Sequence, residues 1–133
     1  MKRSEWANTW LQQAKHDLEA ARALREDGFW DTCALMCQQA AEKAVKALWI
    51  DVKQQDPPKV HSVGKVALEL GATVDLAKAI NELSGDYMAT RYPDMAVGTP
   101  FAQYTASEAD DRLAKAETVL EWVEASWETD DGD

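Results

Sequence analysis

An all-α fold is the expectation for this chain, on three observations. Apolar residues recur at spacings of three and four through four long stretches; no stretch alternates apolar and polar residues with period two; and Gly28, Gly71 and the pair Pro57-Pro58 fall between the stretches. Together they predict an antiparallel up-and-down four-helix bundle with an additional short helix. The 133 residues suit a single domain over 1–133, large enough for one core and too small for two cores with a linker, closed by an acidic tail at about 128–133.

The first helix is expected over 3–27, where Trp10, Leu11, Ala14, Leu18, Ala21 and Leu24 form one stripe and Gly28 supplies a stop. The second runs from Phe29 to Val52 through Cys33, Cys37, Ala40, Ala41, Ala44, Val45 and Leu48, its alanines permitting a neighbouring helix to approach closely. Gln54-Gln55-Asp56-Pro57-Pro58 ends it, because paired prolines cannot continue a helix. Ser62 then caps a shorter helix carrying Val63, Val66, Ala67 and Leu70, which Gly71 terminates. A fourth helix begins near Asp75, carries Leu76, Ile80, Leu83 and Tyr87 on one face, and closes before Pro93. Residues 92–104, with Pro93, Gly98 and Pro100, read as a loop. Thr105-Ala106-Ser107-Glu108 is a capping-box pattern, and it opens a last helix whose register is Ala109, Leu113, Ala116, Leu120, Val123 and Trp127, up to the acidic tail from Glu128.

A composition of 46% hydrophobic and 29% charged residues, with six tryptophans, excludes wholesale disorder. The formal net charge of −10 opposes non-specific adhesion to nucleic acid or anionic lipid, so any phosphate must be held by a local basic site. The start of the chain, Met1-Lys2-Arg3-Ser4-Glu5-Trp6, leads into a charged amphipathic stretch, and no run approaches the ~18 apolar residues of a membrane span. A cytoplasmic protein without a membrane partner is expected. Cys33 and Cys37 lie one helical turn apart, a poor place for a disulfide, and read as two small, reduced core side chains. His16 and His61 stand alone in the sequence, so no metal site and no cofactor are expected.

The segment with most bearing on function is Arg91-Tyr92-Pro93-Asp94, followed by Met95, Ala96, Val97 and Gly98. An arginine and a histidine a few residues apart can stabilise a phosphate and move a proton, the minimum equipment of a metal-independent ribonuclease. Here the arginine stands without the histidine. The stretch Gln38 to Leu48, the step His61-Ser62-Val63 after a proline loop, Arg91-Tyr92-Pro93-Asp94 and Tyr104-Thr105 before the final helix together resemble the HEPN family (higher eukaryotes and prokaryotes nucleotide-binding domain), small stand-alone prokaryotic type, across nearly the whole chain.

That resemblance implies an all-α bundle, commonly a homodimer, and either a metal-independent ribonuclease acting as a toxin or in defence, or a nucleotide- or RNA-binding module without cleavage. The family's signature is an arginine followed after four to six residues by a histidine, with two copies meeting across a dimer. Arg91 matches the arginine; the histidine positions hold Ala96, Val97 and Gly98. Some HEPN toxins carry, two residues past the histidine, a tyrosine that a separately encoded MNT-type nucleotidyltransferase modifies; with the histidine site at Ala96 that position is Gly98. The expectation is therefore a HEPN-type nucleotide- or RNA-binding protein with weakened or absent ribonuclease activity, belonging to a toxin–antitoxin pair with such a nucleotidyltransferase. Rivals are an active ribonuclease with His61 as base and a protein-interaction module that binds no nucleotide.

Each candidate ligand residue also has a structural reading. Arg91 in a last helical turn meets the carbonyl end of the helix dipole and can pair with Asp94. Tyr92 is either a packing aromatic or a stacking platform. Lys43 and Lys46, with Glu42, are expected on the solvated side of the second helix, where the lysines can also border a phosphate site. Glu42, set among small residues, can orient Arg91 as a buried partner. The tryptophans read as core, bundle-end or dimer-interface residues.

Overall fold

The structure, a computed structural model, describes residues 3–59, 62–91 and 99–131. Six helices follow in order: α1 (Arg3–Glu26), α2 (Trp30–Lys53), α3 (Val63–Glu69), α4 (Val74–Arg91), α5 (Pro100–Gln103) and α6 (Ala106–Asp131). The four long helices are those the apolar periodicity predicts, α3 is the additional short one, and no strand occurs among the described residues.

Helices α1 and α2 form a hairpin through Gly28, whose φ of 83° lies in the left-handed region that costs glycine nothing. Phe29 donates its backbone N–H to the Leu24 carbonyl (2.9 Å) and Gly28 to that of Arg25 (3.2 Å), which satisfies carbonyls orphaned at the helix end. The core side of α1 is Ala7, Leu11, Ala14, Leu18 and Ala21. Helix α2 is the most enclosed element, packing against α1, α4 and α6, and buries Cys33, Cys37, Ala40, Ala41, Ala44, Val45, Ala47 and Leu48. Small side chains at these positions let three helix axes converge on one.

Ion pairs fix the direction of α6. Arg25 with Asp110, Arg22 with Glu117 and Lys15 with Glu124 run oppositely along α1 and α6. Likewise Glu82 with Lys115 and Asp86 with Arg112 run oppositely along α4 and α6. The bundle is thus up-and-down, with α2 and α6 meeting directly across it.

Helix α3 docks on α4 at close range. Asn81 Oδ1 accepts from the Gly64 N–H (3.2 Å) and from Ser62 Oγ (3.1 Å), while Ser62 Oγ accepts from the Lys65 N–H (3.3 Å) as the expected cap. A Cβ on Gly64 would stand 2.7 Å from the Asn81 amide and 2.8 Å from the Ala77 carbonyl.

Helix α1 ends one residue earlier and α2 starts one residue later than expected, and three further boundaries differ for a physical reason. Helix α2 continues to Lys53, because Gln54 takes a left-handed φ of 55° and donates its N–H to the Ile50 carbonyl (2.9 Å), ending the helix before the prolines act. Residues 100–103, expected as loop, form α5, where Pro100 at the first position supplies a pre-set φ and lacks an N–H that would go unused. Helix α6 runs past Glu128 to Asp131, since no glycine or proline interrupts the chain before Gly132. Its start is as expected: Thr105 Oγ1 accepts from the Glu108 N–H at 3.2 Å.

Candidate functional site

Arg91 is the last residue of α4, the position the sequence predicts for it. Its side chain, with His61, Tyr92 and Asp94, lies outside the described residues, as do the histidine-position residues Ala96, Val97 and Gly98. What the structure describes is the polar framework on either side of them.

One part of that framework is centred on Asp86, a turn and a half before Arg91 and only 4% exposed. Tyr104 donates its hydroxyl proton to Asp86 Oδ1 (2.6 Å), and Arg112 donates from Nε to Oδ2 (2.7 Å) and from a terminal nitrogen to Asp111 (2.6 Å). Burial and the Asp86 hydrogen bond hold the Tyr104 phenol well above its ordinary pKa. Burial opposes the charge on Arg112, but the Asp86 and Asp111 carboxylates together outweigh it and keep the guanidinium firmly protonated. Ion pairing to Lys115, then to Arg112, holds Asp111 below the usual carboxylate range. The cluster joins α4 to the start of α6.

A second framework lies on α1 and α2 and corrects the expectation for Lys43. Lys43 is not on a solvated face: its ammonium donates to Asp17 Oδ2 at 2.6 Å, and Asp17, 3% exposed, also accepts from Gln13 Nε2 (2.9 Å). Lys43 is therefore committed to neutralising a carboxylate that the α1 stripe carries inward. Glu42 is half-buried, accepts from Gln38 Nε2 (3.1 Å) and faces Lys46 at 3.6 Å; these described partners tie it to its own helix. Lys46 also sits 5.9 Å from the Trp10 ring centroid, a cation–π distance.

Beside Lys46 opens a groove of about 360 Å³ between α1, α2, the 56–59 segment and α3. Trp6, Trp10, Pro57 and Pro58 are among its walls, Lys46 and Lys59 among its charges, and Ile50, Val63 and Val66 also line it. A neighbouring hollow shares Trp6 and Trp10 and reaches Lys43. Of the tryptophans, Trp49 is buried, Trp10, Trp30, Trp122 and Trp127 are half-buried, and Trp6 is exposed.

Cys33 and Cys37 are both buried and free, as the sequence reading holds, and Cys37 keeps its proton through its hydrogen bond with Cys33 and its burial. Among the described residues no three of His, Cys, Asp and Glu stand together to hold a metal, and no described helix is long and apolar enough to cross a membrane. The sequence reading missed the roles of Asp17, Asp86 and Arg112. A signal existed for both aspartates: each falls in the i, i+3 register of an apolar stripe, Asp17 after Ala14 and Asp86 after Leu83.

Comparison with known proteins agrees with this architecture. A sequence profile described as the HEPN domain matches residues 7–126. The chain is similar to a candidate toxin of Methanocaldococcus jannaschii, 25% identical over 142 residues, which cover 90% of this chain and 86% of that protein. Among solved structures it is similar to a protein from Thermus thermophilus, with a TM-score of 0.82 and 31% identity over 95% of this chain and 99% of that one. An archaeal HEPN homologue gives 0.76 and 32% over 94% and 98%. A HEPN domain protein from Thermotoga maritima gives 0.68 and 29% over 88% and 95%.

Proposed function

The chain belongs to the HEPN domain family, and from that premise we propose that it is a toxin-type HEPN protein that holds a nucleotide or RNA at Arg91 and has weakened or absent metal-independent ribonuclease activity. The observation that carries this reading is in the sequence that follows Arg91: Ala96, Val97 and Gly98 occupy the places where a base is required. Attack by a ribose 2′-hydroxyl needs a group of near-neutral pKa, and losing one typically costs ~10²–10⁴ in rate. Arg91 can bind a phosphate bidentately and stabilise its charge, but an arginine does not give up its proton.

The similarity to a candidate toxin supports a toxin–antitoxin setting, with a separately encoded MNT-type nucleotidyltransferase as the partner, a homodimer as the working unit and the cytoplasm as its place. The framework around Asp86 supports the Arg91 site physically, because a buried, doubly hydrogen-bonded carboxylate stiffens the helix turn that leads to it. The rival with His61 as base requires His61 to approach Arg91, and both side chains lie outside the described residues.

The test pairs an RNA-cleavage assay without metal with nucleotide binding, on wild type and Arg91→Ala. Expected are negligible wild-type cleavage, binding that falls on Arg91→Ala, and cleavage gained by Ala96→His and removed again by adding Arg91→Ala. Robust wild-type cleavage abolished by His61→Ala would replace this reading with the ribonuclease rival, and neither binding nor cleavage would favour a protein-interaction module.

A further inference from the structure

We propose that Asp86 is the positioning residue of the Arg91 site, gripping through Tyr104 and Arg112 both stretches of chain that flank residues 92–98. The inference rests on the Arg91 reading above and adds to it the group that sets where the arginine stands.

On either flank the apolar core gives out. After Leu83, Asp86 is the one described residue of α4 that the fold buries, and the turn and a half that follows it ends at Arg91. On the far flank α5 buries nothing, and between Thr99 and Glu108 only Tyr104 is buried, at 7% exposed. These two residues are joined directly, the Tyr104 hydroxyl donating to Asp86 Oδ1 at 2.6 Å. The exit from α4 and the return towards α6 are therefore fastened at one point, and by a hydrogen bond rather than by apolar contact.

The difference matters because a hydrogen bond fixes distance and direction, whereas apolar contact is non-directional. Both carboxylate oxygens of Asp86 are engaged, Oδ1 by Tyr104 and Oδ2 by Arg112 Nε at 2.7 Å. Its backbone carbonyl accepts from Thr90 Oγ1 at 2.6 Å, one residue before Arg91. Arg112 is itself anchored: Asp111 accepts from its terminal nitrogen, and Lys115 bridges Asp111 (2.7 Å) to Glu82 of α4 (2.6 Å). Apolar side chains of similar volume would hold α4 to α6 as firmly, since replacing a buried ion pair in that way is often neutral for stability. What the charged cluster adds is a single register of α4 against α6, and with it a single placement of the turn that ends at Arg91.

The test compares three full-length proteins: wild type, Tyr104→Phe, and a triple variant with Asp86→Leu, Tyr104→Phe and Arg112→Met, which removes the cluster without stranding a buried charge. The readouts are urea unfolding, amide hydrogen exchange and calorimetric titration with adenosine monophosphate. The triple variant is expected to keep or exceed the wild-type unfolding midpoint. Its amides at 87–91 and 101–105 should exchange about tenfold faster while those at 40–50 in α2 stay within about twofold. Its affinity for the monophosphate should fall about tenfold, the cost of a misplaced binding group. Tyr104→Phe, which loses one bond, should fall between the two and keeps the test open should the triple variant not fold. Wild-type exchange and affinity in a stable triple variant would overturn the proposal, as would faster exchange with unchanged affinity. A lowered midpoint with uniformly faster exchange would also overturn it, marking the cluster as general support for the fold. If wild type itself does not bind the monophosphate, the Arg91 ligand reading fails, and exchange at 87–91, which needs no ligand, still decides whether Asp86 holds that turn.

Discussion

Asp17 and Asp86 are carboxylates that the fold buries, and each is compensated by charge from another helix: Lys43 for Asp17, Arg112 with the Tyr104 hydroxyl for Asp86. Removing one partner leaves a desolvated charge, which is far costlier than the pair is beneficial. Tyr104 makes the consequence measurable. Its phenol is held above the ordinary value of 10.0, first by burial and then by its hydrogen bond to Asp86. An unfolded chain therefore releases this proton near pH 10 while the folded chain retains it, so stability must fall as pH rises above about 10, by up to ~1.4 kcal/mol per pH unit. Tyr104→Phe is expected to be less stable at neutral pH by about 1–3 kcal/mol and to lack this added alkaline slope, as read by urea unfolding between pH 8 and about 11. Equal alkaline slopes for the two proteins would contradict the assignment. The site was legible in part at this scale: Arg91 and Tyr104-Thr105 stand out as a motif, whereas the pairing of Asp86 with Arg112 joins residues 26 apart, which no local pattern announces.

At the scale of elements, periodicity gave the helices, and side-chain volume decided how closely they approach. The α3–α4 contact is the tightest example. Gly64→Ala should gain up to about 1 kcal/mol from helix propensity, but its methyl meets the Asn81 amide, which can turn, and the Ala77 carbonyl, which cannot. Overpacking against backbone costs typically ~1–3 kcal/mol and wins, so a net loss is expected in urea unfolding. Gly85→Ala is the control: nothing lies within 4 Å of its added Cβ, so it should stabilise by up to about 1 kcal/mol. A stable Gly64→Ala with an unchanged unfolding midpoint would mean that α3 packs less closely than described. Helix α5 shows the limit of element prediction, because Pro100 signals a loop and a helix start equally well until the flanking geometry is known.

For the molecule as a whole, the net charge of −10 opposes non-specific adhesion to nucleic acid and also repels a like copy, so the proposed homodimer must draw on apolar surface. Phe29, Val74 and Phe101 are among the large apolar side chains left more than half exposed. Light scattering is expected to give twice the 14.8 kDa chain mass at tens of micromolar, and a monomer there would remove the shared cleft between copies. The sequence by itself determined the helical class, the number of long helices, their apolar faces and the missing histidine, because each is written in local spacing. Only the tertiary structure decided that Lys43 serves Asp17, that Asp86 gathers Tyr104 and Arg112, and that Trp6, Lys46 and Lys59 share one groove. Those juxtapositions depend on how helices from distant parts of the chain cross, and the energy that selects a crossing is spread over many small core contacts rather than held in any one motif.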